Sequence, residues 1–401
     1  MMKTNYLTAV ALGLLTALAG CQTEGDAPHT PQGTIPIGFS GDVPQTRATK
    51  EYGSAADLTD IGVFAYFTNG AFSEGSSTPN FMYNQQVERQ SDGSWTYSPV
   101  KYWPGNTTDK ISFFAYAPYV DEAATGGSNP SFKSSTATGF PTLTYTVPAA
   151  ENSQVDLLAS VPLMNQDYAD NAGAVKFLLK HTMTKVGVYV KSNDEITGKK
   201  VTAFSITSAK SGTLTFHAPD AGNADDTGTE WTYSTPVATE TFTATATDFA
   251  VPDSKAAEKK LLATFFLLPR GEGSTFSITY TAPGETSTGA AITQTVSLTG
   301  QPLPSLDKWT QGAFVSYTIG IEKKKVTVTA ATHPAWTDGG TGTVTGSVII
   351  TYAASPDNPG WGNGGTGTVD GQPVITHSEQ GTPPSWNEGS SGTVDGTEKT
   401  D

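Results

Sequence analysis

Short runs of alternating apolar and polar residues, separated by Gly, Pro, Asn or Asp, recur through most of the chain. That period of two predicts β-strands. Candidates in the first half are 35–39, 61–67, 111–119 and 142–147, with 155–160 readable as a strand or a single helical turn. The run Ile111, Ser112, Phe113, Phe114, Ala115, Tyr116, Ala117 is apolar on both faces, as expected of a strand in the middle of a sandwich, and Pro118 marks where its pairing should end. Residues 167–174 read as a linker. A second set follows at 186–191, 201–207, 212–216, 242–251, 261–268, 276–281, 292–298, 313–321 and 326–330. This spacing predicts an all-β protein of two tandem β-sandwiches, 35–172 and 173–335.

The tail departs from that pattern. Pro334-Ala335-Trp336, Pro359-Gly360-Trp361 and Pro384-Ser385-Trp386 stand 25 residues apart, and Gly-Thr-Val recurs at 342–344, 367–369 and, with looser flanks, 392–394. Residues 336–401 thus form a three-copy repeat tail. Each copy has too few large apolar residues for its own core, so its strands must pair with something else, unless the tail is a flexible Gly/Thr segment.

Composition agrees with strands and turns, since 42 Gly and 25 Pro accompany only 15% charged residues. A net charge of −15 disfavours nucleic acid, which needs clustered Lys and Arg. The basic runs Lys199-Lys200, Lys259-Lys260 and Lys323 to Lys325 are expected to decorate turns or strand edges.

Lys3 precedes an uncharged, largely apolar run over 6–18, which reads as a secretory signal over residues 1–20. As a helix the run would rise only about 20 Å, short of roughly 30 Å of hydrocarbon. Leu18-Ala19-Gly20-Cys21 resembles the lipobox of bacterial lipoproteins, in which the cysteine becomes the acylated first residue. Cys21 is the only cysteine, so no disulfide forms within the chain. Residues 21–34 then read as a lipidated tether, and the polar, acidic stretch after Cys21 favours the outer face of the outer membrane.

Candidate chemistry is sparse. The histidines 29, 181, 217, 333 and 377 fit no metal pattern, and no nucleophile elbow, phosphate loop or dinucleotide fingerprint is present. No catalytic residue, metal or cofactor is expected. His181 reads as a packed, hydrogen-bonded side chain, and 220–230 as a solvated acidic loop. Trp95, Trp231 or Trp361 could line a glycan-binding face if exposed, with core packing as the alternative.

Several segments together resemble the fimbrillin family, the type V pilins of Bacteroidales-type bacteria, including its Mfa-like branch. They are the lipobox, the first strand followed by Thr46-Arg47-Ala48, Tyr102-Trp103-Pro104 leading into 111–119, Leu179 to Val186, Trp309-Thr310-Gln311-Gly312 before Tyr317-Thr318-Ile319, and 326–328 running to Trp336. The resemblance implies transthyretin-like sandwiches and a fimbrial subunit serving adhesion and biofilm, at the outer membrane and in the fimbrium. It also implies cleavage by a trypsin-like, Arg-specific protease between Arg47 and Ala48. That cut would release the first strand, with Ile35, Ile37 and Phe39, and a donor segment of another subunit would fill the groove. Expected partners are other fimbrial subunits, the protease, the membrane through the lipid and a host or bacterial surface ligand. The candidate donor is 341–352, with Val344, Val348 and Ile350 on one face of a regular strand. The alternative function is a surface lipoprotein that binds glycans or host ligands without polymerising.

Overall fold

A computed structural model describes residues 35–42, 57–122, 132–223, 226–285, 291–304, 309–323, 325–333, 347–353, 367–369 and 374–378. Cys21, Arg47, Ala48, Val344 and Trp361 lie outside them.

The fold is all-β, in four sheets. The first has the spatial order β1 (Gly38–Asp42), β10 (Ala174–His181), β8 (Leu158–Ser160), β5 (Asp109–Ala117), β2 (Asp60–Asn69), β3 (Met82–Arg89) and β4 (Trp95–Thr96), with β9 (Leu163–Gln166) also on β5. The second runs β14 (Thr229–Thr232), β13 (Ser211–Phe216), β7 (Thr142–Thr146), β6 (Phe132–Ser134). A third runs β15 (Thr239–Thr243), β12 (Lys200–Ala209), β18 (Thr275–Glu285), β19 (Ala291–Pro302), β23 (Gly367–Val369), with β16 (Phe249–Ala250) on β12. The fourth runs β17 (Lys260–Leu267), β11 (Thr184–Ser192), β20 (Phe314–Ile321), β21 (Lys325–His333), β22 (Ser347–Ala353), β24 (Val374–Ser378).

β5 shows why a strand apolar on both faces belongs in the middle. It pairs with β2 on one side and with β8 and β9 on the other, and it ends at Ala117, just before Pro118. Ile111, Phe113, Ala115 and Ala117 enter one core, while Phe114 and Tyr116 enter another shared with the other three sheets. Gly62, opposite Tyr116 in the register, leaves room for its ring, since a Cβ there would fall 2.2 Å from it.

Hydrogen bonding crosses the division expected near residue 172. β10 lies wholly beyond it, yet pairs with β1 and β8, while β7 pairs with β13. The expected linker contains a helical turn, α1 (Tyr168–Asn171), closed by a capping box in which Asp167 and Asp170 each accept the other's backbone N–H. Lys110 Nζ lies 2.6 Å from Asp167 Oδ2. The candidate strand 242–251 divides into β15 and β16.

Lys199 corrects the expectation for basic runs. It is only 1% exposed, and its Nζ donates to Ser192 Oγ (2.6 Å), Ile321 O (3.1 Å) and Asp194 Oδ1. A buried ammonium requires such a set of acceptors. Burial disfavours the charged Asp194 carboxyl, but the Lys199 hydrogen bond and the N–H groups of Ile196 and Lys323 outweigh it, holding the group below the usual carboxylate range.

Candidate functional site: the seam closed by the first strand

The first sheet curls until its two ends, β1 and β4, meet. Its concave face encloses a core that includes Ile61, Val63, Ile111, Phe113, Trp103, Val175 and Phe177. β1 closes this curl, and the residues around it are aromatic. Phe39 stacks on Phe177 at 5.8 Å between centroids and meets Tyr97 and Phe113 edge-on at 5.2 and 6.0 Å. Such pairs add roughly 0.5–1.5 kcal/mol each beyond area burial.

Alternation explains which side chains enter. Ile37 and Phe39 are 2% and 5% exposed, and Ile35 packs half-buried against the same core. Burying Ile37 and Phe39 contributes ~1.5–3 kcal/mol each. On β10 the same alternation sends Val175, Phe177 and Leu179 inward and leaves Leu178 45% exposed.

The backbone of residues 35–42 pairs in two halves. Gly38 to Asp42 run parallel to Ala174 to Leu178, and Gly38 N–H donates to Gly173 O. Before that, Ile37 N–H donates to Lys101 O (2.9 Å) and Trp103 N–H to Ile35 O (3.0 Å), with Pro36 bridging antiparallel to Tyr102. Tyr97 Oη donates to Ile37 O at 2.9 Å and Trp103 Nε1 to Gly173 O at 3.4 Å. Burial pushes the Tyr97 hydroxyl pKa up, so this donor keeps its proton at neutral pH. Residues 35–42 therefore fill a slot between β10 and segment 101–103. Without them the slot would offer buried aromatic surface and unpaired backbone groups, the two things an incoming strand needs.

The structure brings Ile35, Ile37 and Phe39 together in this seam. It also adds Tyr97, Trp103 and Phe177, which sequence patterning did not assign to it. Trp103 was visible only as part of Tyr102-Trp103-Pro104. Val348 and Ile350 lie in β22, opposite Ala330 and Val328 of β21, so this part of the candidate donor joins the fourth sheet of its own chain.

The other candidates resolve as structural groups. His181 Nδ1 lies 2.9 Å from Asp156 Oδ2, both buried. Trp231 is 8% exposed, with Nε1 donating to Thr182 O at 2.7 Å, and Trp95 is half-buried, its ring edge about 3.9 Å from where a Gly41 Cβ would stand. Trp231 therefore presents no open aromatic face for glycan. A separate cleft of about 400 Å³ beside β3 and β4 is lined by Gln85, Gln86, Glu88, Thr96, Tyr97 and Ser98. Among the described residues no cluster of His, Cys, Asp and Glu could hold a metal, and no helix is long and apolar enough to cross a membrane.

Comparison with known proteins gives the class to which this all-β chain belongs. The model of the fimbrillin-like family matches residues 46–336, and the chain belongs to that family, one of fimbrial, cell-adhesion-like proteins rather than enzymes. Over 179 residues it is 33% identical to the fimbrium subunit Fim1C of Phocaeicola vulgatus, a match covering 42% of this chain and 47% of that protein. The chain thus spans about half the length of that curated relative. The crystal structure of a fimbrial protein from Bacteroides vulgatus shares the fold, with a TM-score of 0.58 and 22% identity over 75% of this chain and 99% of that one.

Proposed function

We propose that this chain is a fimbrial subunit that polymerises by strand exchange at the seam held by residues 35–42. The observation that carries this reading is the way β1 closes its sheet: two buried side chains and one short parallel ladder on one side, segment 101–103 on the other. Cleavage after Arg47 severs the chain between β1 and β2, so residues up to Arg47 depart as one peptide. An extended segment of the next subunit then takes the slot. Each subunit fills its neighbour, the contact does not close on itself, and a filament grows.

The candidate donor lies in the tail. β22 has seven residues, close to the length of the 35–42 stretch it would replace. It stands near one end of the fourth sheet, so donation separates it from β21 while β17, β11, β20 and β21 stay paired. Before cleavage, export as a lipoprotein through Cys21 places the subunit at the outer membrane facing outward, tethered by residues 22–34.

The test is limited digestion of the lipid-free chain beginning at residue 22 with a trypsin-like protease, followed by N-terminal sequencing and electron microscopy. A new terminus at Ala48 together with SDS-resistant ladders or fibres is the expected result. A cleaved chain that stays monomeric under all assembly conditions overturns it.

The cleft between β3 and β4 favours a second reading, glycan or other surface-ligand binding, because its amide and hydroxyl groups suit a hydroxyl-rich ligand. Binding of the intact chain to a glycan array, lost in Gln86→Ala, would support it. An array with no signal removes it.

A further inference from the structure

The 25-residue repeat makes residues 347–353 of its first copy equivalent to 372–378 of its second. These segments carry β22 and β24, which pair antiparallel in the register Ser347–Ser378, Val348–His377, Ile349–Thr376, Ile350–Ile375 and Thr351–Val374. Ile350 and Ile375 are themselves equivalent positions. The ladder is centred on them, and Ile349–Thr376 on one side is mirrored by Thr351–Val374 on the other. Two copies of one strand therefore meet about a local twofold axis.

A ladder of this kind is self-complementary, the property that isologous contacts between identical chains require. The equivalent strand of a second molecule presents the same residues in the same register. We propose that two copies of this chain exchange residues 367–378, so that each β22 pairs with the β24 of the other copy. Among the described residues of one chain β24 pairs only with β22 at the end of its sheet, and β23 joins β19 through three register pairs. The stretch 354–366 between β22 and β23 contains 4 Gly among its 13 residues. Every pairing lost within one chain is regained in the other, the condition under which exchange costs little.

This contact closes on two copies and does not use the slot at β1, but it keeps β22 in the fourth sheet, so a copy exchanged in this way holds back the segment that head-to-tail donation would release. It joins subunits sideways, whereas head-to-tail donation lengthens a filament. It also gives the repetition a physical reason, since a symmetric ladder needs two equivalent strands. The exchange does not depend on proteolysis, so it can be tested with cleavage blocked.

The experiment uses the full chain from residue 22, free of cysteine, with Arg47→Ala. One preparation carries Ile350→Cys and another Ile375→Cys. Opposed residues of an antiparallel pair have Cα atoms about 4.5–5.5 Å apart, within disulfide range. The two preparations are mixed at high concentration, allowed to exchange and then oxidised. Read on a denaturing, non-reducing gel, the expected result is a disulfide-linked species of twice the monomer mass in the mixture, with each variant alone running at the monomer mass. A mixture that stays monomeric overturns the proposal, whether or not a chain carrying both cysteines closes its own bridge. A second measurement uses the cysteine-free chain with Ile375→Pro and Thr376→Pro, because one of two consecutive N–H groups on a strand faces its neighbour. Sedimentation should show the parent dimer lost, and a dimer that survives both prolines also overturns it.

Discussion

β1 and β17 are both end strands, and the protein closes them by different means. β1 and the three residues before it fill their slot as extended chain, bringing Ile37 and Phe39 into the core. β17 is capped by side chains from a 3₁₀ turn, Glu151–Ser153, and the residue after it. Thr264 N–H donates to Glu151 Oε1 (3.0 Å) and Phe266 N–H to Gln154 Oε1 (2.9 Å), while Glu151 Oε2 accepts from Thr245 N–H (3.0 Å). A strand can be replaced by another strand of similar pattern. A side-chain cap meets the backbone donors while occupying the line a new strand would need. The comparison sets an edge filled by a strand, which another strand can match, against one closed by side chains.

The largest expected effect falls on the strand-filled edge. Phe39→Ala removes a ring that touches Phe177, Tyr97 and Phe113, and should cost about 3–5 kcal/mol of stability in the uncleaved chain. Leu261→Ala on β17, where the side chain is 49% exposed, should stay within about 0.5 kcal/mol. Denaturant unfolding of the two variants checks both, and equal costs would break the contrast. Next comes the sealed edge. Glu151→Ala leaves the Thr245 and Thr264 N–H groups without that acceptor, at about 0.5–1.5 kcal/mol for each of these part-buried hydrogen bonds. The variant should also self-associate through β17 without proteolysis, measured by light scattering. Glu151→Gln, keeping one acceptor, should lose less and remain monomeric.

Much of this contrast was hidden from the sequence, for reasons visible in particular residues. β5 was legible because seven consecutive residues that fill two cores must be apolar in nearly every position. β1 was legible as a strand through Ile35, Ile37 and Phe39. Its neighbours were not, because a parallel ladder to Ala174–His181 pairs residues far apart in the chain, and periodicity says nothing about which strand lies beside which. β3 escaped notice because only Met82 and Val87 of its eight residues are buried, and Asn84, at φ 42°, interrupts its alternation. Lys199 was misread because a charged residue looks solvated until its acceptors, one of them the Ile321 carbonyl, are brought to it by folding. Glu151 and Gln154 carried no signal either, since an edge cap depends on where β17 passes.

pH sharpens the picture through the turn at Asp194, whose carboxyl is held below its ordinary range. A carboxyl with a lower pKa in the folded than in the unfolded state contributes stability that is fully present above about pH 4, its ordinary value. That contribution is lost as pH falls through the folded value. The chain should therefore weaken below about pH 4, and Asp194→Asn should flatten that acid limb while lowering stability at pH 7. Thermal unfolding across about pH 2–7 checks this. A limb unchanged in the variant would remove Asp194 from the account.

The smallest effect belongs to α1, which precedes β10 and so bears indirectly on the seam. Asp167 also lies below the usual carboxylate range, chiefly through its hydrogen bond from Lys110. Its cap on Asp170 N–H should be worth about 0.5–2 kcal/mol, measured as Asp167→Ala. Asp167→Asn, which retains an acceptor for the cap and gives up the charge toward Lys110, should cost less, because a partly exposed ion pair contributes at most about 1 kcal/mol. If the alanine variant also sped protease-triggered assembly, the turn would be holding Gly173 and β10 in place for β1. If it lowered stability alone, β1 would be retained by its own aromatic contacts.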